Sequence, residues 1–187
     1  MADPMAEGVT GGGAAQDDNV RLSEIGPFAM VSLRMDPDDS GVFDAIAAAL
    51  GVSPPVEPNR IVSGDDIAIL WLGPDEWLAI SSDDSLLERL CRVDPKGNWA
   101  CTDVSSDRVV LELSGPDAAD VLAKGCTLDL HPKSFKVGNC AQTLFARVPV
   151  ILSKEQADPT VFRILPKRSY AQYLASWLDD AIAEYSS

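Results

Sequence analysis

Hydrophobic residues alternate with polar ones in much of this chain and recur at helical spacing in the rest. Alternation of this kind predicts half-buried strands. We expect strands over residues 28–34, 61–62, 67–72, 77–80, 99–105, 109–113, 140–147, 150–153 and 160–165. Helical spacing, preceded by Ser or Asp, predicts four helices that open near residues 38–40, 83–85, 114–117 and 169–172, and Gly51 is expected to end the first of them.

The segment 107–132 combines a strand, an abrupt turn and a short helix. Val109, Leu111 and Leu113 are separated by single residues, as in a half-buried strand. The hydroxyl of Ser114 is placed to accept a backbone N–H from the next turn, so we predict that Ser114 caps the following helix. Gly125 is expected to end this helix.

The last helix has the clearest pattern in the chain. Ser169 and Gln172 have the spacing of a capping box, which predicts that the helix begins there. Its apolar face is expected to contain Tyr170, Leu174, Trp177, Leu178 and Ile182.

The order of elements predicts an α+β fold, with helices packed on largely antiparallel sheet and a strand-helix-strand-strand unit in each half. The halves are expected at residues 21–106 and 107–187, within one folded region 21–187. Residues 1–20 are acidic, rich in glycine and poor in large apolar side chains, so we expect a mobile tail there.

Composition and charge narrow the function classes. Hydrophobic residues make up 46% of the 187 residues and charged residues 24%, an ordinary globular balance. The net charge of −14 disfavours nucleic acid and acidic membrane surfaces as partners. No apolar run approaches the roughly 20 residues that span a bilayer, and the first residues resemble no secretory signal, so we expect a cytoplasmic protein.

The charge is spread unevenly along the chain. Residues 21–106 have a net charge of −9, whereas residues 107–187 have a net charge of only −1. Because an acidic partner is repelled less by the second half, this distribution weakly favours the second half as a docking side.

Residue types that support catalysis or metal binding are sparse. Four cysteines without close pairing, and the single histidine His131, do not match a zinc site, so we expect buried free thiols. His131 lies in a loop with no recognisable partner acid, and the paired aspartates stand mostly at helix starts and turns. No glycine-rich nucleotide motif follows a predicted strand. We therefore expect no catalytic, cofactor-binding or metal-binding residues in this chain.

Four blocks resemble a known family. They are GPDAADVL within residues 107–132, WLGPDEWLAI at 71–80, GNCAQTLFARVPVIL at 138–152 and RSYAQYLASWLDDA at 168–181. Together, and in this order, they are similar to the gamma subunit of bacterial heterotetrameric sarcosine oxidase. The first block alone is also similar to the folate-binding domain of the glycine-cleavage aminomethyltransferase.

The resemblance implies a structural subunit of an oxidoreductase. Such an assembly oxidatively demethylates sarcosine to glycine, with hydrogen peroxide and 5,10-methylenetetrahydrofolate as products. Alpha, beta and delta subunits are the implied partners; FAD, FMN and NAD are implied on the larger alpha and beta subunits, and zinc on delta. It also implies the folate-domain architecture of the aminomethyltransferase. The alternative is a stand-alone folate-binding protein or one-carbon transferase.

Two comparisons of motifs argue against folate chemistry in this chain. Lys124, Gly125 and Cys126 match only the first three residues of a motif found in folate-dependent iron–sulfur assembly proteins. In the aminomethyltransferase family an acid lies on the hairpin after the GPDA helix, but the matching segment 142–153 contains no Asp or Glu, and its only charge is Arg147.

Several residues remain as candidates for a partner interface. Arg147, Arg163, Lys167 and Arg168 are bases of the nearly neutral half that could pair with acids of another subunit, although an ordinary solvated surface is the simpler interpretation. Aromatic residues could pack in the core or anchor a partner; they are Trp71, Trp77, Trp99, Trp177, Tyr170, Tyr173 and Phe145.

Overall fold

The computed structural model of the chain describes residues 19–185. Residues 1–18 of the expected mobile tail lie outside the described residues, whereas Val20 is buried. The described strands are β1 (Arg21–Ile25), β2 (Ala29–Met35), β3 (Ile61–Ser63), β4 (Ile67–Gly73), β5 (Glu76–Ser81), β6 (Trp99–Asp103), β7 (Val110–Ser114), β8 (Cys140–Phe145), β9 (Val148–Ala157) and β10 (Thr160–Pro166). The described helices are α1 (Ser40–Leu50), α2 (Leu86–Cys91), α3 (Ala118–Ala123) and α4 (Arg168–Ala183).

The described chain divides into two compact units. The first unit comprises residues 27–107 and 138–141, and the second comprises the residues up to 26, 108–137 and those from 142 onward. Each unit contains helices and antiparallel strand pairs, so the predicted α+β class is confirmed.

The first unit is built on a sheet with the strand order β3-β4-β5-β2-β6. Helix α2 packs on β2 and β6, and α1 packs on α2. Trp77 lies at the centre of the core, where its ring meets Phe43 edge-on and its indole N–H donates to the carbonyl of Pro55 at 2.7 Å. Because the ring of Trp77 is packed in the core and its indole N–H has a hydrogen-bond acceptor, Trp77 is a core residue.

The ends of α1 follow from local chemistry. The carboxylate of Asp39 accepts a hydrogen bond from the backbone N–H of Val42, as an N-cap does. Gly51 ends the helix with φ of +76°, the left-handed conformation that glycine adopts without steric cost. Both ends of α1 are confirmed as the sequence predicts them.

The second unit is built on a sheet with the strand order β1-β7-β10-β9-β8. Helices α3 and α4 pack on the central strand β10. Strand β1, for which the alternation gave no prediction, pairs with β7 in the register Leu22 to Leu113. The core of this unit includes Leu22, Leu111, Leu113, Val121, Phe162, Ile164, Leu174 and Leu178.

Two predicted helix starts are wrong. Ser114 is the last residue of β7, and α3 begins later, after Asp117. The capping box at Ser169 is also wrong, because α4 begins at Arg168, with Lys167 as its N-cap and no side-chain cap. In both cases a strand continues almost to the helix, so the backbone before the helix is fixed by sheet pairing and not by a capping side chain.

Gly115 is required by a close approach of two backbone segments. Its φ is +126°, and a Cβ at this position would lie 2.1 Å from the carbonyl oxygen of Asn19. The N–H of Asp117 donates to the same oxygen. Only glycine allows the chain before β1 to lie against the turn between β7 and α3.

Candidate functional site

An open cleft of about 360 Å³ lies on the second unit, between the β8–β9 hairpin and α4. Its lining consists of Lys124, Gly125, Thr127, Leu144, Ala146, Arg147, Tyr173 and Trp177. Aromatic, aliphatic and basic groups therefore meet on one surface, the composition that protein interfaces favour.

A tight turn carries Arg147 to the edge of this cleft. Ala146 and Arg147 have φ of +48° and +70°, and they connect β8 to β9 as a two-residue turn. This geometry belongs to the type I′ turns that usually contain Asn and Gly. The predicted strand over residues 140–147 is therefore too long, since β8 ends at Phe145.

Hydrogen bonds tie the hairpin turn to the rest of the cleft. The N–H of Ala146 donates to the carbonyl of Gly125 at 3.0 Å, and the hydroxyl of Tyr173 donates to the carbonyl of Ala146 at 3.3 Å. The indole of Trp177 packs over Gly125, where a Cβ would lie 2.8 Å from its ring. The cleft is therefore a structured surface with walls from three elements.

Lys124 already has partners within the chain. Its Nζ donates to the carbonyl of Ala181 at 2.9 Å and to the carboxylate of Glu184 at 2.7 Å, and it lies 4.5 Å from the ring centroid of Tyr185. Lys124 thus fixes the end of α4 beside the cleft, and its charge is largely compensated.

The four candidate interface bases occupy different environments. Arg163 is half-buried on β10 and forms ion pairs with Glu112 at 3.4 Å and Glu155 at 3.6 Å. Lys167 and Arg168 are exposed at the start of α4, where Arg168 donates to the carbonyl of Arg108. Arg147 alone among the four lines the cleft.

The aromatic candidates separate into core and surface residues. Trp77 and Phe145 are buried, whereas Trp71, Trp99 and Trp177 are half-buried. Tyr170 and Tyr173 are exposed by 44% and 52% on α4. The prediction that Tyr170 belongs to the apolar face of α4 is wrong, because the buried face of this helix contains Ala171, Leu174 and Leu178 but not Tyr170.

A second cleft, of about 680 Å³, lies on the first unit and is acidic. Asp36, Asp38 and Asp75 line it together with Arg34 and Trp99. Arg34 donates to Asp75 and to Glu76, each at 3.1 Å. These exposed ion pairs compensate part of the negative charge of the cleft.

His131 has a structural position in a tight loop. The imidazole Nδ1 of His131 accepts a hydrogen bond from the backbone N–H of Lys133, and the backbone N–H of His131 donates to the carboxylate of Asp129. The hydroxyl of Ser134 donates to the same carboxylate, and these hydrogen bonds, led by that of Ser134, lower the pKa of Asp129. The ring of Phe135, at the end of this loop, stacks on Phe162 of the core.

The cysteines are free, but the prediction that they are buried holds only for Cys140. Cys91 is exposed, and Cys101 and Cys126 are half-buried. Burial is the main cause that raises the pKa of Cys101. The prediction fails for Cys91 because this residue is the last of the short helix α2 and lies on its solvent-exposed side, whereas Leu86 and Leu90 form the buried side.

Within residues 19–185, no three His, Cys, Asp or Glu side chains gather closely enough to hold a metal ion. Across the same residues, none of the helices combines the length and the apolar character needed to cross a bilayer.

Comparison with solved structures finds two informative neighbours. A chain of the heterotetrameric sarcosine oxidase from Corynebacterium sp. U-96, in complex with pyrrole 2-carboxylate, superposes with a TM-score of 0.85 at 36% identity, covering 93% of this chain and 89% of that one. The glycine cleavage system aminomethyltransferase T from Bartonella henselae superposes with a TM-score of 0.61 at 17% identity, covering 88% of this chain and 46% of that one. The second match shows a shared fold alone.

Comparison of sequences extends over the whole chain. Sarcosine oxidase subunit gamma of Corynebacterium sp. (strain P-1) is 38% identical over 189 aligned residues, which cover 100% of this chain and 89% of the relative. The same subunit of an Arthrobacter species is 37% identical over the same coverage. A sequence profile described as "Sarcosine oxidase, gamma subunit family" matches residues 34–184, which include most of both units, and the chain belongs to this family.

Proposed function

We propose that this chain is the gamma subunit of a heterotetrameric sarcosine oxidase and that it acts by association, without performing bond chemistry itself. The main support is the superposition on a chain of such an oxidase, which extends over 93% of this chain. Because the similarity includes both units and their connections, a role in the same type of assembly is the simplest inference.

The assembly that we propose oxidatively demethylates sarcosine to glycine and reduces oxygen to hydrogen peroxide. The one-carbon unit passes to tetrahydrofolate, which gives 5,10-methylenetetrahydrofolate. We assign FAD, FMN and NAD to alpha and beta subunits and zinc to a delta subunit, with none of them on this chain.

The chemistry of the hairpin supports a non-catalytic role for this chain. Segment 142–153, which forms most of β8, the turn and the first part of β9, contains no carboxylate, and its tip carries Arg147. A reaction that needs a carboxylate at this hairpin to take or give a proton cannot obtain one from these residues.

Coexpression tests this function directly. The tagged chain is produced alone and together with the alpha, beta and delta subunits, and each sample is assayed for retained partners, flavin absorbance and sarcosine turnover. We expect the chain alone to be colourless and inactive, and the complex to retain all four subunits. Turnover or bound flavin in the chain alone, or failure to retain any partner, would contradict the proposal.

A folate titration separates the alternative function. If the chain were a stand-alone folate-binding protein, tetrahydrofolate would quench the fluorescence of its four tryptophans with a sharp one-to-one end point. We expect weak or no quenching by the isolated chain at concentrations where the aminomethyltransferase, used as a positive control, is saturated.

A further inference from the structure

We propose that this chain docks on a neighbouring subunit through one defined surface, the hairpin face, made of Leu144, Arg147, Tyr170, Tyr173 and Trp177. Its occupant is a protein segment that brings a carboxylate to Arg147 and an apolar side chain to the cleft. The inference rests on the proposed function, because it presupposes an assembly of different subunits.

Exposed apolar area is concentrated on this face. Leu144 and Tyr173 are 51% and 52% exposed, and Tyr170 is 44% exposed. Tyr170, Tyr173 and Trp177 follow each other at intervals of three and four residues, so they lie along one side of α4. Large apolar side chains grouped in this way mark interaction surfaces, whereas a single exposed one is ordinary.

The charge of Arg147 supplies the second argument. Within residues 19–185, the guanidinium of Arg147 has no hydrogen bond or ion pair, in contrast to Arg163, which is held between two glutamates. Arg147 is exposed beside aromatic rings, where a bidentate carboxylate partner would be partly shielded from water. A partner for this face must therefore carry a carboxylate.

The backbone of the turn gives an independent argument. Arg147 has φ of +70°, a conformation in which a non-glycine residue is strained and for which glycine is the favoured residue of such turns. The stability of the turn alone would therefore favour glycine at position 147, yet the residue there is arginine. The strained position projects the long basic side chain from the tip of the hairpin, beside the cleft.

The overall charge separates this partner from other occupants. With a net charge of −14, the chain repels nucleic acid, and the face contains one unpaired base, too few for a phosphate backbone. A second copy of this chain, bound through the same face, is a less favourable occupant, because that face brings a second Arg147 and contains no carboxylate. An apolar and acidic segment of a different subunit fits both the aromatic cleft and the arginine.

Coexpression of tagged variants with the alpha, beta and delta subunits tests the hairpin face. We expect Leu144→Asp and Arg147→Glu each to weaken retention of the partners at least about tenfold, as removal of a central anchor does. Matched controls are Val56→Asp, at an apolar residue of the first unit that is 66% exposed, and Arg92→Glu, at an exposed arginine directly after α2, and both should retain wild-type binding.

Arg147→Gly excludes misfolding as the explanation. Glycine suits the positive φ of this turn, so the isolated variant should melt at the wild-type temperature or above, yet bind its partners more weakly. Arg147→Lys, which keeps the charge but loses the bidentate geometry, should lie between wild type and Arg147→Gly.

The outcomes separate this inference from the proposed function. If the wild-type chain fails to retain partners, the proposed function fails. If the wild-type chain and all hairpin-face variants retain partners equally, only the hairpin-face proposal is overturned. A wild-type homodimer that Leu144→Asp dissociates, without an effect on the other subunits, would also overturn it.

Discussion

The indole of Trp177 meets the ring of Phe145 edge-on, with ring centroids 5.0 Å apart and planes at 82°. Phe145 is the last residue of β8 and is buried, whereas Trp177 is half-buried and also lines the cleft. This pair therefore connects the core of the second unit to its surface. Gly125 lies beneath both rings, so the fit of this small group depends on the absence of a side chain there.

We expect Gly125→Ala to destabilise the chain by about 1–3 kcal/mol, the usual cost of overpacking. The new Cβ would lie 2.8 Å from Cη2 of Trp177 and 3.1 Å from Cε2 of Phe145. Chemical denaturation of the isolated chain measures the loss. A Trp177→Phe exchange in the same chain should recover part of it, since the smaller ring vacates the contact, and strictly additive effects would contradict this explanation.

Gly115→Ala should be among the most damaging single substitutions, with a loss of about 2–4 kcal/mol. Its Cβ would overlap the carbonyl oxygen of Asn19, and its φ of +126° is unfavourable for alanine. Gly41→Ala is the matched control, because this glycine lies in α1 with its nearest neighbour atom at 3.5 Å. Thermal melting of both variants, with Gly41→Ala near wild type or above, checks the prediction.

Arg163→Met tests whether Arg163 has a structural role. The arginine holds the carboxylates of Glu112 and Glu155, and all three side chains are only about one-fifth to one-third exposed. We expect a loss of about 1–2 kcal/mol, smaller than for a fully buried network because water still screens the charges. Adding Glu112→Gln should reduce the loss. Arg92→Met, at an exposed pair with Glu88, is the control and should change stability by less than about 0.5 kcal/mol.

Acidification should loosen the loop around Asp129. The fold holds the pKa of this carboxyl below its ordinary value of 3.8, chiefly through the hydrogen bond from Ser134. The stabilisation is therefore complete above the unfolded pKa and is lost as the pH falls through the folded value. In Asp129→Asn the melting temperature should fall less between neutral pH and about pH 3. Asp84→Asn, an exposed control, should follow wild type.

Thiol labelling should distinguish the cysteines. Cys91 is exposed and should react first with a maleimide or a disulfide reagent. Cys101 should react slowly at neutral pH, because its pKa is raised, mainly by burial. Cys140, which is fully buried, should react only after unfolding. Cys91→Ser should remove the fast phase alone, and a fast phase that persists in this variant would contradict the assignment.

Much of the fold is predictable because it is encoded by local periodicity. The alternation around Leu111 and Leu113, and the Asp39 and Gly51 ends of α1, appear in the structure as predicted. Such features depend on residues that are near each other in the sequence, so a single sequence contains the necessary information.

The errors concern features that depend on distant residues. Strand β1 is stabilised by β7, which lies almost ninety positions later, and its own polar residues give no clear alternation. Strand β9 continues through Lys154, which is buried against the ring of Phe162, and Glu155, which pairs with Arg163. Because the local sequence does not reveal these partners, the charged residues Lys154 and Glu155 predict that strand β9 ends at residue 153.

The candidate surface was predictable in part. The sequence predicts the residue types, including Arg147, Tyr173 and Trp177, but it also suggests one group of four bases that the structure places in different surroundings. The sequence does not predict that Leu144 is exposed. Its neighbours in the strand are Thr143 and Phe145, so the hydrophobic pattern does not show which of these side chains faces solvent. The positive φ of Arg147 was also missed, since Ala-Arg is an uncommon sequence for this turn.

The pairing of β1 with β7 has a consequence for biosynthesis. Residues 21–25 leave the ribosome long before residues 110–114 exist, so the nascent segment must wait for its neighbour. A fragment that starts at residue 108 would leave an edge of β7 without hydrogen-bond partners and prone to join other chains in aggregates. Expression of the second unit should therefore keep the segment from Asn19 to Ile25, supplied either in sequence or as a separate peptide.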